Sequence, residues 1–238
     1  MGPAVRVKPE LARFSDLESL SRAAAEIVVG AARQAVAERG RFALALSGGK
    51  TPRRLFELLA GSAIDWSRAH LFWGDERCLP RTDPASNYRM AAEALLSKAA
   101  VPPQNVHAPS VEIGSPEAAA KSYEEELRGF FRDAPAAFDV TLLGMGPDGH
   151  TASLFPGSAA LLESKRWVLA VDGKQGDPPV PRVTLTLPAL NASRVALFLV
   201  SGARKRPLID EIMRGGAPYP AATIEAREKL LWYFAEND

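Results

Sequence analysis

The chain has 238 residues, of which 47% are hydrophobic and 24% charged, enough apolar material for one large domain or two small ones. Its 29 basic and 28 acidic residues nearly cancel, which argues against a nucleic acid or an acidic membrane surface as the main partner. A bound anion must therefore meet a local cluster of donors. The single cysteine, Cys78, excludes a disulfide framework and a cysteine metal site.

Charged residues at positions 6, 8 and 10 interrupt the N-terminal segment, and no apolar run approaches 18 residues. We therefore expect neither a secretory signal nor a membrane span. Arg6 also departs from the myristoylation pattern, which needs Ser or Thr there. The expected protein is soluble, reduced and cytoplasmic. A monomer is compatible with the sequence, which does not determine the oligomeric state.

In chain order, Ser15, Asp16, Leu17 and Glu18 form a capping-box pattern that predicts a helix to about residue 38, ended by Gly40. Residues 42–46 predict a buried strand, and Pro52 marks the start of a helix that continues through residue 59. Further strands are predicted at residues 70–73, 138–143, 167–171, 182–187 and 195–200, and helices at 86–98, 116–132 and about 205–213. A final apolar run covers residues 230–234.

Strands that alternate with helices predict an α/β fold, with a mostly parallel sheet and helices on both faces. The loop at residues 172–181 is rich in proline, but no change in composition there marks a domain boundary. We expect one domain that comprises residues 1–238.

The loop after the predicted strand at 138–143 is the most informative segment. It contains three glycines, together with Asp148, His150 and Thr151. Such a loop delivers polar side chains to the carboxyl edge of a parallel sheet, where open α/β sheets bind ligands. His150 is one of only three histidines, and it is the best candidate for a general base.

The turn formed by Ser47, Gly48, Gly49, Lys50 and Thr51 lies between a predicted strand and a helix. It resembles the end of a nucleotide-binding P-loop, but Leu44 occupies the position where that motif needs its first glycine. The backbone donors and the helix N-terminus instead favour a single phosphate monoester. A plain tight turn capped by Ser or Thr is the structural alternative.

Charged residues follow other predicted strands as well. Asp75, Glu76 and Arg77 follow the strand at 70–73, Arg182 begins another strand, and Lys205 begins a helix. Each of these could be an ordinary surface charge. Convergence of their loops at one sheet edge favours a binding site.

Other chemistries find little support. His70, His107 and His150 have no neighbouring Cys or second His at the spacing of metal ligands. A serine hydrolase would need a Gly-x-Ser-x-Gly elbow, which is absent. The glycines at 144, 146 and 149 match a dinucleotide fingerprint, but they lie late in the chain and glycine spacing alone is weak support. We expect no metal and no cofactor.

The chain resembles the 6-phosphogluconolactonases of the pentose phosphate pathway, which are related to glucosamine-6-phosphate deaminases. The resemblance is carried, in the family's order, by residues 46–52, 73–77, 83–88, 144–156, 182–188 and 201–205. It implies a single Rossmann-like α/β domain that hydrolyses 6-phospho-D-glucono-1,5-lactone to 6-phosphogluconate without a cofactor.

The resemblance also implies roles for individual residues. His150 would be the catalytic base; the chemistry of the loop, independently of the resemblance, would let Asp148 orient the His150 ring or hold its imidazolium form. The phosphate would bind to the turn at residues 47–51, Arg182 and Lys205, and Lys50 would contribute its backbone N–H. Asp75, Arg77 and Asn87 would complete the substrate pocket. Two alternatives stay open, a glucosamine-6-phosphate deaminase and a sugar-phosphate sensor without turnover.

Overall fold

The computed structural model describes residues 7–112, 114–132 and 137–237. Within these residues, seven parallel strands form the main sheet in the order β1-β10-β9-β6-β2-β3-β5. The strands are β1 (Pro9–Phe14), β2 (Phe42–Leu46), β3 (Ala69–Trp73), β5 (Val106–His107), β6 (Val140–Leu143), β9 (Val195–Ser201) and β10 (Lys229–Ala235).

A second sheet in the described part of the chain is antiparallel and has the order β4-β8-β7. Its strands are β4 (Asp75–Arg77), β7 (Val168–Val171) and β8 (Arg182–Leu185). Leu185 donates its backbone N–H to the Gly74 carbonyl at 2.8 Å and so joins this sheet to the end of β3.

The helices are α1 (Leu17–Arg39), α2 (Thr51–Ala60), α3 (Asn87–Ala91), α4 (Pro116–Phe131), α5 (Leu187–Leu190) and α6 (Arg206–Arg214). Along β2, Leu44 and Leu46 face the apolar cluster that includes α1 and α2, whereas Ala43 and Ala45 face the cluster that includes α4. This alternation buries both faces of the sheet. The predicted α/β fold with helices on both faces is confirmed. No helix in the described ranges has the length and hydrophobicity needed to cross a membrane.

Only the N-terminal end of α1 differs from the prediction. Asp16, rather than Ser15, is the N-cap, and its carboxylate accepts the Ser19 backbone N–H at 2.7 Å. Ser15 instead donates its hydroxyl to Asp16 at 2.8 Å. At the other end Gly40 adopts φ 74°, which confirms the predicted stop.

Several other boundaries were wrong. The predicted helix at 86–98 is capped by Ser86, but its α-helical part ends at Ala91 and a π-helical turn follows at Ala92–Leu96. The strand predicted at 182–187 ends at Leu185, because α5 starts at Leu187. Both β1 and β5 were missed. They lie at the two edges of the sheet, and β5 has only two residues.

The strand order places a switch point between β2 and β6. From β2 the chain proceeds to β3 and β5 on one side, whereas β6, β9 and β10 lie on the other. The connections that follow β2 and β6 therefore diverge and leave a crevice at the carboxyl ends of these strands, where open α/β sheets bind ligands. The turn at residues 47–51 and the loop at residues 144–151 both open into this crevice.

Candidate active site

A cavity of about 820 Å³ occupies this crevice. Eleven of the twelve predicted site residues line it: Ser47, Gly48, Gly49, Lys50, Thr51, Asp75, Arg77, Asn87, His150, Arg182 and Lys205. Asp148 is not part of the lining, and it contacts His150 instead.

The turn after β2 leaves backbone donors available. Lys50 is the N-cap of α2, and no side chain caps this helix N-terminus. The Thr51 hydroxyl lies 3.1 Å from the Ser201 hydroxyl, so the turn contacts the end of β9. The structure therefore contradicts the alternative of a plain turn between β2 and α2 that is capped by a Ser or Thr side chain. The uncapped N–H groups and the positive end of the α2 dipole suit an anion.

Gly48 allows a close contact within the site. A Cβ at Gly48 would lie 1.9 Å from Asn87 Oδ1, so only glycine lets the Asn87 amide pack on the turn. Asn87 also donates its side-chain N–H to the Asp75 carbonyl at 2.9 Å. Asn87 thus connects the turn at residues 47–51 with β4.

An ordinary surface charge was the alternative to a role in the site for Asp75 and its neighbour Glu76, but both residues are buried, at 7% and 2% exposure. Ser153 donates its hydroxyl to Asp75 at 2.6 Å. Glu76 accepts the backbone N–H groups of Arg77, Asn87 and Tyr88 at 2.6–2.8 Å. Burial nevertheless raises the pKa of Glu76 above the ordinary glutamate value. Glu76 therefore attaches β4 to the start of α3 and holds Asn87 in place.

Arg77 and Arg182 lie directly opposite each other across β4 and β8. Arg182 is only 3% exposed. It donates to the Pro178 carbonyl at 3.0 Å and lies 3.9 Å from the Asp75 carboxylate. Burial lowers the pKa of Arg182, and Asp75 opposes that effect. The Nε atoms of both arginines are buried without a hydrogen-bond partner among the described residues. Two adjacent guanidinium groups with one nearby carboxylate can accept a further anion.

The charge of the lining differs from that of the whole chain. Five described residues of the lining are basic, namely Lys50, Arg77, Arg182, Arg204 and Lys205, and two are acidic, namely Asp75 and Asp177. The chain as a whole has a formal net charge of +1. The cavity therefore provides the local cluster of cations that an anionic ligand requires.

The loop after β6 holds the histidine. His150 Nδ1 lies 2.6 Å from Asp148 Oδ1, which favours the tautomer with the proton on Nδ1. Nε2 then carries the basic lone pair, and no described residue forms a hydrogen bond with it. A Cβ at Gly146 would lie 2.2 Å from the His150 ring, so this glycine lets the ring pack against the backbone. The arrangement can accept a proton from a molecule bound in the cavity.

The other two histidines, which are far apart in sequence, lie together at the edge of the sheet. His70 Nδ1 is 3.0 Å from His107 Nε2, and His107 Nδ1 is 2.6 Å from Glu126. The residues are 37 positions apart in sequence, so sequence spacing could not indicate the contact. Among the described residues, no group of three or more His, Cys, Asp or Glu side chains could hold a metal ion.

Sequence reasoning missed other parts of the site. Arg204 and Asp177 line the cavity, Ser153 bonds to Asp75, and Glu76 holds the start of α3. Arg204 stood beside Lys205 in a recognised motif and could have been found from it. Asp177 lies in the loop before β8, and no local pattern marked it.

Comparison with known proteins gives a consistent result. Residues 15–232 match the family described as glucosamine-6-phosphate isomerases/6-phosphogluconolactonase. A 6-phosphogluconolactonase of Nostoc sp. is 42% identical over 83% of both chains, and one of Mycobacterium tuberculosis is 42% identical over 92% of both. The crystal structure of the 6-phosphogluconolactonase of Thermotoga maritima superposes with a TM-score of 0.86 at 35% identity. That match covers 96% of this chain and all of the other.

Proposed function

Because the chain belongs to the glucosamine-6-phosphate isomerase/6-phosphogluconolactonase family, we propose that it hydrolyses 6-phospho-D-glucono-1,5-lactone to 6-phosphogluconate. Its relatives at about 40% identity over most of the chain are named 6-phosphogluconolactonases. The observation that carries the proposal is the His150–Asp148 pair, which lies in a cation-lined cavity at the switch point of the sheet.

In the proposed reaction, His150 Nε2 takes a proton from a water molecule while the water oxygen attacks the lactone carbonyl carbon. Asp148 stabilises the imidazolium that forms. The tetrahedral intermediate then collapses, the bond to the ring oxygen breaks, and the imidazolium returns its proton to that oxygen. One water is consumed, and the products are a hydroxyl group and a carboxylic acid, which releases the second proton of the water to solvent and becomes the carboxylate. A positioned base of this kind supplies roughly 10²- to 10⁴-fold, which suits an ester that is already activated.

The phosphate occupies the other end of the cavity in this proposal. It accepts hydrogen bonds from the turn at residues 47–51 and is balanced by Arg182 and Lys205. Asp75, Arg77 and Asn87 line the space around the sugar. Binding at the phosphate, remote from the carbonyl, positions the lactone for attack.

The proposal also covers the cofactor requirement, the cellular location and the domain organisation of the enzyme. It acts without a metal or cofactor in the cytoplasm, and residues 1–238 work as one domain. The hydrogen bond from Leu185 to Gly74 supports the single domain, because it joins the two sheets directly.

The test is hydrolysis of freshly prepared 6-phosphogluconolactone by the purified protein, corrected for spontaneous opening of the ring. We expect a large enzymatic rate, no ammonia release from glucosamine 6-phosphate, and no loss of activity after a chelator is added. Ammonia release without lactone hydrolysis would identify a deaminase. Tight binding of 6-phosphogluconate without turnover would identify a sensor. A loss of activity that zinc or magnesium restores would refute the metal-free reaction.

A further inference from the structure

Tyr219 contacts the loop that carries His150, from a part of the chain about 70 positions away. A Cβ added at Gly149 would lie 2.6–2.7 Å from three atoms of the Tyr219 side chain, so Tyr219 packs directly on the Gly149 backbone. Ala221 donates its N–H to the Gly149 carbonyl at 3.0 Å. Gly149 separates Asp148 from His150 and has φ +80°, a conformation that favours glycine. The contact therefore falls between the two members of the histidine–carboxylate pair.

The hydroxyl group of Tyr219 is also engaged. It donates to Glu211 Oε2 at 2.7 Å, and Glu211 lies on α6. The backbone between them passes through Gly215 and Gly216, both at positive φ and both exposed. Because two glycines do not fix the path of a chain, the ring is held chiefly by its packing on Gly149, and the hydrogen bond to Glu211 adds a further restraint.

The same helix leads back to the cavity. Gly202, Arg204 and Lys205 line the cavity immediately before α6 begins at Arg206. Tyr219 and Glu211 thus connect the cation-bearing turn before α6 with the loop of His150. Both ends of the proposed substrate site are therefore connected to α6.

We infer that Tyr219 is a positioning residue, which holds Gly149 against α6 and thereby fixes the His150 ring relative to the bound lactone. The inference rests on the proposed role of His150 as the base. Tyr219 does not line the cavity, so it acts through the loop and does not touch substrate. A displacement of about 1 Å in a catalytic group can cost on the order of 100-fold in rate, and side chains that pack behind such a group prevent it.

The test compares Tyr219→Ala, Tyr219→Phe and Glu211→Gln with the parent protein, well below the unfolding temperature. Tyr219→Ala should lower kcat about 10- to 100-fold. The affinity for 6-phosphogluconate, measured by calorimetry, should change less than threefold, because the phosphate donors remain. Tyr219→Phe keeps the ring and should restore kcat to within about fivefold of the parent. Glu211→Gln can still accept the hydrogen bond and should resemble Tyr219→Phe.

Tyr233→Ala is the matched control. Tyr233 is also a half-buried tyrosine, but it packs on Phe14 and does not line the cavity. It should lower the unfolding temperature and leave kcat within about twofold, as expected for a side chain outside the site.

The inference fails if Tyr219→Ala keeps kcat within twofold. It also fails if product affinity falls as much as kcat, or if Tyr233→Ala lowers kcat equally. Should Tyr219→Ala not fold, Tyr219→Leu replaces it, because leucine fills part of the space without the ring that packs on Gly149, and a kcat within twofold of the parent in that variant overturns the inference. His150→Ala, measured in parallel, separates the two claims. Full activity in His150→Ala refutes the proposed base, whereas an inactive His150→Ala beside an active Tyr219→Ala refutes only the role of Tyr219.

Discussion

His150 and His107 each place Nδ1 2.6 Å from a carboxylate oxygen, that of Asp148 in one case and that of Glu126 in the other. The His150 pair opens into the large cavity. The His107 pair lies on the edge strand β5, where the ring stacks on Phe72 at 4.5 Å.

The second ring nitrogen separates the two pairs. His70 lies 3.0 Å from Nε2 of His107, so both nitrogens of His107 have partners within the protein. Among the described residues, the ring of His150 has a hydrogen-bond partner only at Nδ1, and basic residues outnumber acidic ones in the lining of its cavity. A histidine–carboxylate pair is therefore not sufficient for a site. What surrounds the pair, and which nitrogen stays available, decides whether it stabilises the fold or can act on a ligand.

The largest expected effect comes from replacing the two histidines in turn. His150→Ala should lower kcat for lactone hydrolysis about 10²- to 10⁴-fold, or ~3–5 kcal/mol of transition-state stabilisation, and should leave the fold intact. His107→Ala should keep kcat within about twofold but cost roughly 1–3 kcal/mol of unfolding free energy, since it removes a packed ring. Steady-state kinetics and thermal unfolding of both variants measure this. Equal losses of kcat would end the distinction between the pairs.

Arg182→Ala tests whether the basic residues that line the cavity beside His150 bind the phosphate. It should weaken binding of 6-phosphogluconate about 10- to 100-fold, because a charge-assisted hydrogen bond contributes roughly 1.5–3 kcal/mol. The variant should also lose most of the preference for the phosphorylated lactone over plain gluconolactone. Arg194→Ala, which removes an arginine paired with Glu228 away from the cavity, is the control. If both lactones suffered equally in Arg182→Ala, Arg182 would support the carbonyl end or the fold instead of the phosphate.

The carboxylates allow a finer comparison. Asp148→Asn keeps an acceptor for Nδ1 but removes the charge, so kcat should fall roughly tenfold, or ~1.4 kcal/mol. Glu126→Gln makes the same change at the other pair and should alter only stability, by about 1 kcal/mol or less, because Glu126 is 43% exposed. Measurements of kcat and of thermal unfolding on the two variants test whether the charge of each carboxylate matters for activity or only for stability. An unchanged kcat in Asp148→Asn would show that Asp148 does not assist His150.

The smallest expected effect is the pH dependence of stability that arises from His70, which contacts His107 at the edge of the sheet. Burial, with the neighbouring His107 and Arg41, lowers the pKa of His70 from 6.5 to about 4. Between these values the unfolded chain binds a proton that the folded chain does not, so stability should fall as the pH drops from about 6.5 to about 4. His70 is partly exposed, and after allowance for screening the loss is on the order of 1 kcal/mol. Urea unfolding of the parent and of His70→Gln across this range measures it. An identical pH dependence in both proteins would exclude His70 as the source.

Predictions from the sequence were accurate where local signals are strong. Buried apolar runs located β2, β6 and β9, and Gly40 and Pro52 marked helix ends, because glycine and proline constrain the backbone locally. The short strand formed by Asp75, Glu76 and Arg77 was not predicted, because three adjacent charges give no local strand signal. Pairing of β4 with β8, more than 100 positions later, makes them a strand.

The sequence by itself determined the alternation of strands and helices, the two glycine-containing turns of the site and the family to which the chain belongs. Only the tertiary structure decided which charges became buried, as at Glu76, and which distant residues meet, as at Tyr219 and Gly149. It alone paired His70 with His107 and left His150 to face a cavity. The physical reason is that burial and long-range contact depend on strand order and packing, whereas a sequence window registers only backbone preference and apolar periodicity.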